Sequence, residues 1–424
     1  MKDLNTASPL IMHIDLNSCF ATVEQQARPS LRGKPLAVTN RLVARSCVIA
    51  CSHEAKTRGV KVGMRYDLAK EIIPDLLMIE TDPPKYHYVY QKLVAIMKSY
   101  SAKITMKSID EGVIDFHEAV EQPSLARMIE IGYEIKQRLK DEVGSYMTCN
   151  VGIAPNRFLA KLAAGLNKPD GLDVITHHNL CAVLGRLELI DLPGIAHRFE
   201  KRLRYQGITT PLKFLDADIF TLHRLVFKSI NGNYWHQRLR GFEPDDVETK
   251  LGIVGRQYVL DIKTNDDDIL LPRLHHLCHS TGMKLRYNAV DARGISIWVR
   301  YTDGSFFKKR QMYDHTFFTD HDIYRRAREL FSDRPRRGRV GTIGITCYQL
   351  TPTARQQASL FERFDAHGRL ISAMDDINET YGNFCITYAH ALAGKKVIKQ
   401  KLPFGSVKYF ELLCQAPQLQ LSAV

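Results

Sequence analysis

Three acids are the side chains of this sequence best suited to chemistry: Asp15, in LIMHIDL, and the adjacent pair Asp110 and Glu111, in SIDEGVIDF. Each lies at the edge of a run read as a β-strand, the first spanning residues 10–16 and the second marked by Val113, Ile114 and Phe116. Carboxylates on neighbouring strands can share hard cations such as magnesium, which takes oxygen ligands from protein and from phosphate. Two such ions about 3.5–4 Å apart stabilise both the attacking and the leaving oxygen of a phosphoryl displacement. Adjacent side chains of a regular strand point to opposite faces, so Asp110 and Glu111 converge only where the chain turns or bulges. Gly112 allows a hairpin around Glu111 and Gly112. Residue type and pattern alone leave the plainer reading open, in which each acid is solvated or caps its strand.

The elements that must position these acids follow from periodicity. Residues 28–64 hold a turn-rich RPSLRGKP, two strand-like runs (LAVT and SCVIACS) and a helical EAKTRG closing at Gly59. Apolar positions recur at helical spacing from Pro84 to Tyr100 and from Leu125 to Leu139. A strand (MTCNVGIA) and a helix (RFLAKLAAGL) follow, and the alternation fits an α+β layer. From about residue 172 to 241 the texture is short helices, FEPDDVE reads as a linker, and residues 252–352 form a second α+β domain. Beyond Pro352 lie QQASLF and a helical ISAMDDINETYG.

The 424 residues exceed one ordinary core, and 45% hydrophobic with 25% charged residues is the balance of a folded chain. Lys and Arg outnumber Asp and Glu by 59 to 46, a formal charge of +13 that favours a polyanionic partner, nucleic acid before membrane. No apolar run approaches the roughly 18 residues of a membrane span, and the start MKDLNTASP lacks a signal-peptide pattern, so the expected location is cytoplasmic. The nine cysteines, without a CxxC pair, are expected to be reduced and buried as small hydrophobes.

Five segments, HIDLNSCFATVEQ, RPSLRGKPLAV, VIACSHEAKTRGVKVGM, SIDEGVIDF and NVGIAPNRFLAKLAAGLNKPDG, together resemble the Y-family DNA polymerases, with their bacterial polymerase IV and V branches. The likeness covers residues 10–245, continues by position and texture through 250–352, and includes the tail as far as QQASLF. It implies an α+β right-hand polymerase: palm 1–18 and 83–175, fingers 19–82, thumb 176–243, little finger 252–352, and a tail 353–424. It also implies low-fidelity translesion synthesis in DNA repair and the SOS response, on primer–template DNA, from deoxynucleoside triphosphates, with two Mg2+ ions.

The resemblance assigns roles residue by residue. Asp15, Asp110 and Glu111 match the metal carboxylates, with the main-chain carbonyl of Leu16 completing one shell. Phe20 matches the aromatic gate that clashes with a ribose 2′-hydroxyl, and Lys168 a lysine on the triphosphate. His53 and Lys56 stand where many members carry a tyrosine and an arginine, and Ala50 where they carry a threonine. Lysine does not grip phosphate bidentately, and histidine titrates near neutrality, so weaker or pH-sensitive nucleotide binding is expected.

LPGIAHRFEKRL resembles a helix-hairpin-helix that offers backbone N–H groups to a DNA phosphate, through Pro193, Gly194 and Ala196. Ala196 replaces the usual second glycine, and a left-handed turn there would be strained. Arg325, Arg326, Arg328, Arg334, Arg336, Arg337 and Arg339 are expected to form a phosphate-tracking surface. Gln357, Leu360 and Phe361 in QASLF resemble the peptide that docks on the sliding clamp. Accessory subunits of the SOS type are further partners implied for some polymerase V-like members. Two other readings stay open here: a catalytically weak DNA-binding or recruitment protein on the same fold, favoured by His53, Ala50 and Ala196, and a template-free nucleotidyl transferase or cyclase.

Overall fold

The structure, a computed structural model, describes residues 3–43, 46–247, 250–336, 338–353, 364–381 and 385–388. The described residues form two compact units, divided between residues 247 and 250.

In the first unit, β1 (Ile11–Leu16) is followed by α1 (Cys19–Ala27), β2 (Leu36–Thr39), β3 (Val48–Cys51), α2 (His53–Thr57), α3 (Tyr66–Ile72), β4 (Leu77–Glu80) and α4 (Pro83–Lys98). Then come β5 (Ile104–Met106), β6 (Glu111–Asp115), α5 (Leu125–Glu142), β7 (Cys149–Ala154), α6 (Arg157–Leu166) and β8 (Leu172–Val174). Short helices close the unit: α7 (Leu180–Leu184), α8 (His197–Tyr205), α9 (Pro211–Asp216), a π-helix over Thr221–Val226, and α10 (Asn231–Leu239).

Five strands make the main sheet in the order β5-β6-β1-β7-β8. β1 is central and its sequence is nearly all apolar because both of its faces are covered. A Cβ at Gly112 would come 2.8 Å from Met97 of α4, and one at Gly132 of α5 would strike Val151 and Leu172, so these two helices cover one face. α6 covers the other. A Cβ at Gly152 of β7 would strike the backbone carbonyl of Ala160, and only glycine lets helix and strand meet at backbone distance. The core on this face runs from Ile11, Val113 and Ala154 through Phe158, Leu159 and Leu162 to Leu203, Phe214 and Trp235.

A second sheet, β3-β2-β4, packs α2 and α3 around Ala37, Val48, Ala55, Ala69 and Ile73. The sequence reading assigns no element to residues 65–82, where α3 and β4 lie. Leu68 and Ile72 of α3 and Leu77 of β4 are exposed, which blurs the apolar period that marks a buried face.

The second unit is an antiparallel sheet, β11 (Phe306–Phe317), β10 (Val290–Tyr301), β12 (Val340–Pro352) and β9 (Ile253–Thr264) in that order, packed against α11 (Asp267–Tyr287) and α12 (Asp320–Ser332). A tail helix, α13 (Phe364–Tyr381), joins it through the two-pronged pair of Arg286 with Asp375, at 2.5 and 2.9 Å. Among the described residues five cysteines are buried as expected, but Cys47, Cys181 and Cys385 are exposed, because each lies outside a core strand or helix face. Among the described residues no helix is long and apolar enough to cross a membrane.

Candidate active site

Asp15 and Glu111 are direct partners across the β1–β6 ladder, so their side chains leave the same face of the sheet. Asp110 is the last residue of the turn before β6, and its carbonyl accepts the Leu16 N–H at 2.9 Å. The N–H groups of Lys107 and Ser108 donate to the Glu111 carbonyl at 2.9 and 3.2 Å, closing that turn over residues 107–110. The chain therefore bends ahead of Glu111 rather than around Glu111 and Gly112. Gly112 is an in-strand residue whose missing side chain makes room for Met97 and Met106. Ser108 fixes the bend: its hydroxyl bonds the Asp110 carboxylate and accepts the Glu111 N–H at 3.1 Å.

Each acid has its own electrostatic setting. Lys161 on α6 donates to both oxygens of Glu111, at 2.8 and 2.7 Å, and the buried His13 places Nε2 3.3 Å from one of them. Burial alone would raise the Glu111 carboxyl, but hydrogen bonds from His13 and Lys161 and the charge of Lys161 outweigh it and bring it down to about 2. Asp15 is paired with Lys168. Among the described residues no cation pairs with Asp110: burial, then the charges of Asp15 and Glu111, hold its carboxyl above the ordinary range despite the Ser108 bond. Among the described residues no three acidic, histidine or cysteine side chains stand around one point at ligating distance, since Glu111 is turned to Lys161 and His13. The donor set fits a hard cation all the same. Asp110 feels the negative charge of both other carboxylates, and the counterions of Asp15 and Glu111 are lysine ammonium groups, which a metal ion can replace.

α6 brings Lys161 to this place. Asn156 caps it, accepting the Leu159 N–H at 2.7 Å, and Arg157 in its first turn reaches Asp115 at 3.2 Å, Asp246 at 2.8 Å and Glu243 at 3.2 Å. Arg157 and Lys161, one helical turn apart, thus lie over Asp115 and Glu111 on β6. Part of the expected linker, Glu243 to Asp246, is in consequence bound to the first unit rather than a free tether, with Lys103 also pairing Asp246 at 3.2 Å.

A cavity of about 830 Å³ opens beside Asp15, Leu16 and Asp110, and Phe20, His53, Lys56 and Lys168 also line it. Lys140 of α5 and Tyr146 line it too, both missed by the sequence reading. Phe20 stacks on Tyr86, centroids 4.5 Å apart, and the Tyr86 hydroxyl donates to the wholly buried Glu24 at 2.9 Å. His53 begins α2 behind the Ser52 cap, and both His53 and Lys56 are exposed to the cavity. His13, Lys161, Tyr86 and Glu24 were also missed. The one signal for Lys161 was its i,i+4 spacing from Arg157 on a helix whose other faces are apolar.

Elsewhere the predicted residues fare unequally. Gly194 takes a left-handed φ of 95°, while Ala196 is extended at φ −104°, so the strain expected at Ala196 does not arise. Pro193 immediately precedes that turn, and Ala196 is the residue before α8. Arg334 is buried, pairs with Asp267 and stacks 4.0 Å over the Phe331 ring; Arg326 lies over Tyr313 and Phe317 and pairs with Asp322. These two belong to the packing of the second unit and not to an open basic surface, because each fills apolar space with its stem and guanidinium plane. Arg325, Arg328, Arg336 and Arg339 are exposed. Arg337 and the peptide residues Gln357, Leu360 and Phe361 lie outside the described residues.

Comparison with known proteins bears on the family and the fold. A model of the impB/mucB/samB family matches residues 14–165, and one of the impB/mucB/samB family C-terminal domain matches residues 253–360. The chain is 31% identical over 384 residues to DNA polymerase IV 1 of Bacillus subtilis (strain 168), covering 88% of this chain and 91% of that one. Among solved structures it is similar to a Y-family DNA polymerase chimera, Dbh-Dpo4(243-245)-Dbh, with TM-score 0.69, 26% identity, and 80% and 98% of the two chains covered. It is also similar to an insertion ternary complex of Dbh DNA polymerase, with TM-score 0.57, 26% identity and the same coverage. Fold and relatives together define a DNA-directed DNA polymerase of α+β architecture. The chain belongs to the Y-family, the lesion-bypass polymerases. The readings as a non-catalytic recruitment protein or a template-free transferase are set aside with that membership.

Proposed function

We propose that the cavity beside Asp15 and Asp110 is the nucleotidyl-transfer centre, working by a two-metal mechanism in which Asp15, Asp110, Glu111 and the Leu16 carbonyl hold two Mg2+ ions. The observation that carries the reading is the Asp15–Glu111 cross-strand pair next to a cavity that Asp15 and Asp110 line together with Lys56, Lys140 and Lys168. Bound there, magnesium would supply Lewis-acid stabilisation of the attacking and leaving oxygens. The chain's own residues do the rest. Lys168, with Lys56 and His53 across the cavity, offers positive charge to a triphosphate. Phe20, held flat by Tyr86, closes the space a 2′-hydroxyl would need.

On this reading residues 1–18 and 83–175 are the palm, 19–82 the fingers, 176–243 the thumb and 252–352 the little finger. Primer–template DNA and deoxynucleoside triphosphates are the partners, as the ternary complex of a similar polymerase supports. The left-handed turn at Gly194 supports a phosphate contact by the backbone of Pro193 to Ala196. Exposed Arg336 supports DNA tracking in the little finger, with Arg337 beside it in sequence. The sliding clamp, through Gln357, Leu360 and Phe361, and SOS-type accessory subunits rest on sequence resemblance, as does a cytoplasmic place in the damage response.

Primer extension with Mg2+ on undamaged and abasic templates tests the reading, comparing the parent with Asp110→Ala and Glu111→Ala. Extension by the parent and its loss in both variants is the expected result. A parent that extends nothing removes the function, and variants that still extend remove the site.

A further inference from the structure

We propose that Lys161 is a resident counterion of Glu111, an ammonium group that a divalent ion must displace before the third carboxylate can join the metal centre. The inference rests on the reading of Asp15, Asp110 and Glu111 as that centre. It makes Lys161 a positioning residue, which acts on the reaction through Glu111.

Three observations support it. The Lys161 ammonium takes both oxygens of Glu111, at 2.8 and 2.7 Å, so a second cation on those oxygens would meet its positive charge at close range. The place of the ammonium is fixed by backbone packing. Arg157, one turn earlier, is anchored to Asp115, and the absence of a side chain at Gly152 seats the helix on β7 at Ala160, the residue before Lys161. The Lys161 side chain is 43% exposed while that of Glu111 is 18% exposed, so the lysine has a path into solvent when displaced and the glutamate stays in place.

The arrangement has a physical use. Without a cation, Glu111 would be an unpaired negative charge beside Asp15, its partner across the strand pair. Lys161 offsets that charge between catalytic cycles, at the cost of competing with the metal. His13, buried behind Glu111 at 3.3 Å, remains when the lysine leaves and holds the carboxylate in orientation.

The test is Mn2+ binding by the full chain without DNA or nucleotide, read from the electron-spin-resonance signal of free Mn2+. Parent, Lys161→Met, Lys161→Arg, Glu111→Gln, Asp110→Ala and the double variant Lys161→Met/Glu111→Gln are compared. Lys161→Met tightens Mn2+ binding about three- to fivefold, the scale of one half-exposed ion pair. Lys161→Arg, which keeps the charge, binds as the parent does or more weakly, and Lys161→Met has no effect once Glu111 is Gln. An unchanged or weakened affinity in Lys161→Met, or a gain that persists beside Glu111→Gln, overturns the proposal. Equal binding by the parent and Asp110→Ala overturns the metal-centre reading itself, a different failure. Lys161→Gln replaces Lys161→Met should the latter not fold, as judged by thermal melting.

Discussion

The ring of Phe20 rests on the ring of Tyr86 with planes inclined by 24°, and a hydroxyl at the far side of Tyr86 ties that ring to Glu24, one turn beyond Phe20 on the same helix. Phe20, Tyr86 and Glu24 thus form a closed loop on α1 and α4. Phe20→Ala opens the loop at the cavity, and relative use of ribonucleotides rises by about tenfold for each 1.4 kcal/mol of clash relieved. Tyr86→Phe keeps the ring and removes one bond to a buried carboxylate that Lys85 still pairs at 2.8 Å. It costs about 1–3 kcal/mol of stability and leaves sugar selectivity intact. Ratios of kcat/KM for the two sugars, with denaturant unfolding, separate the two effects.

Asp110 and Glu111 pull stability in opposite directions with pH. The Asp110 carboxyl is held above its ordinary range, so ionising it burdens the folded state, and stability contributed at low pH is lost as pH rises through the raised value. Asp110→Asn therefore raises the melting temperature of the metal-free protein at pH 7 while ending primer extension. Glu111 is the reverse case. Its contribution is complete above about 4.5, the ordinary glutamate value, and disappears as pH falls through about 2. Melting curves in chelator between pH 2 and 7 follow both groups.

Arg334 and Arg336 share Asp267, yet their substitutions should differ in kind. Arg334 is buried over Phe331, and Arg334→Ala costs the second unit about 3 kcal/mol, the scale of breaking a buried pair. Arg336 is exposed, and Arg336→Ala weakens DNA binding evenly across sequences, lowering the slope of log affinity against log salt by about 1. Unfolding curves and salt titrations of DNA binding read these two outcomes.

Lys284 of α11 is pushed down to about 8 by burial and then by the neighbouring Arg256 charge. The unfolded chain holds this proton up to about 10.5, so between those values folding releases a proton and stability rises with pH. Lys284→Met removes a strained charge and stabilises the second unit at pH 7 by at most about 3 kcal/mol. A melting temperature that drops in the variant would count against this.

Gly152→Ala places a methyl group against the Ala160 carbonyl and forces α6 off β7. The expected cost is about 1–3 kcal/mol in thermal unfolding. Because Lys161 and Arg157 move with the helix, primer extension falls by more than stability alone accounts for.

Much of the site was legible because its acids end apolar runs. β1 and β6 are marked by their own hydrophobic residues, and the five motifs single out the acids at their edges. The turn was misplaced because Gly112 reads as a bend locally, whereas its role is set by Met97, fifteen positions earlier in α4. His13, Lys161 and Glu24 were not legible for the same reason: a charged or polar side chain on a helix or strand looks solvated until the partner arrives from elsewhere in the chain. Two arginines of the cluster depart from expectation in the other direction. Seven arginines in a row of fifteen residues look like one surface, but a helix and a loop send Arg326 and Arg334 inward onto aromatic rings.

α6 holds Arg157 over one acid of β6 and Lys161 over another, with Gly152 beneath the span. A helix registers side chains by angle as well as by distance, each residue turning about 100° from the last. One residue inserted between Arg157 and Lys161 would swing the ammonium to another side of the helix without changing any residue of the centre. Length between Asn156 and Leu166 is therefore under tighter constraint than composition, and indels there should be the mutations this polymerase tolerates least.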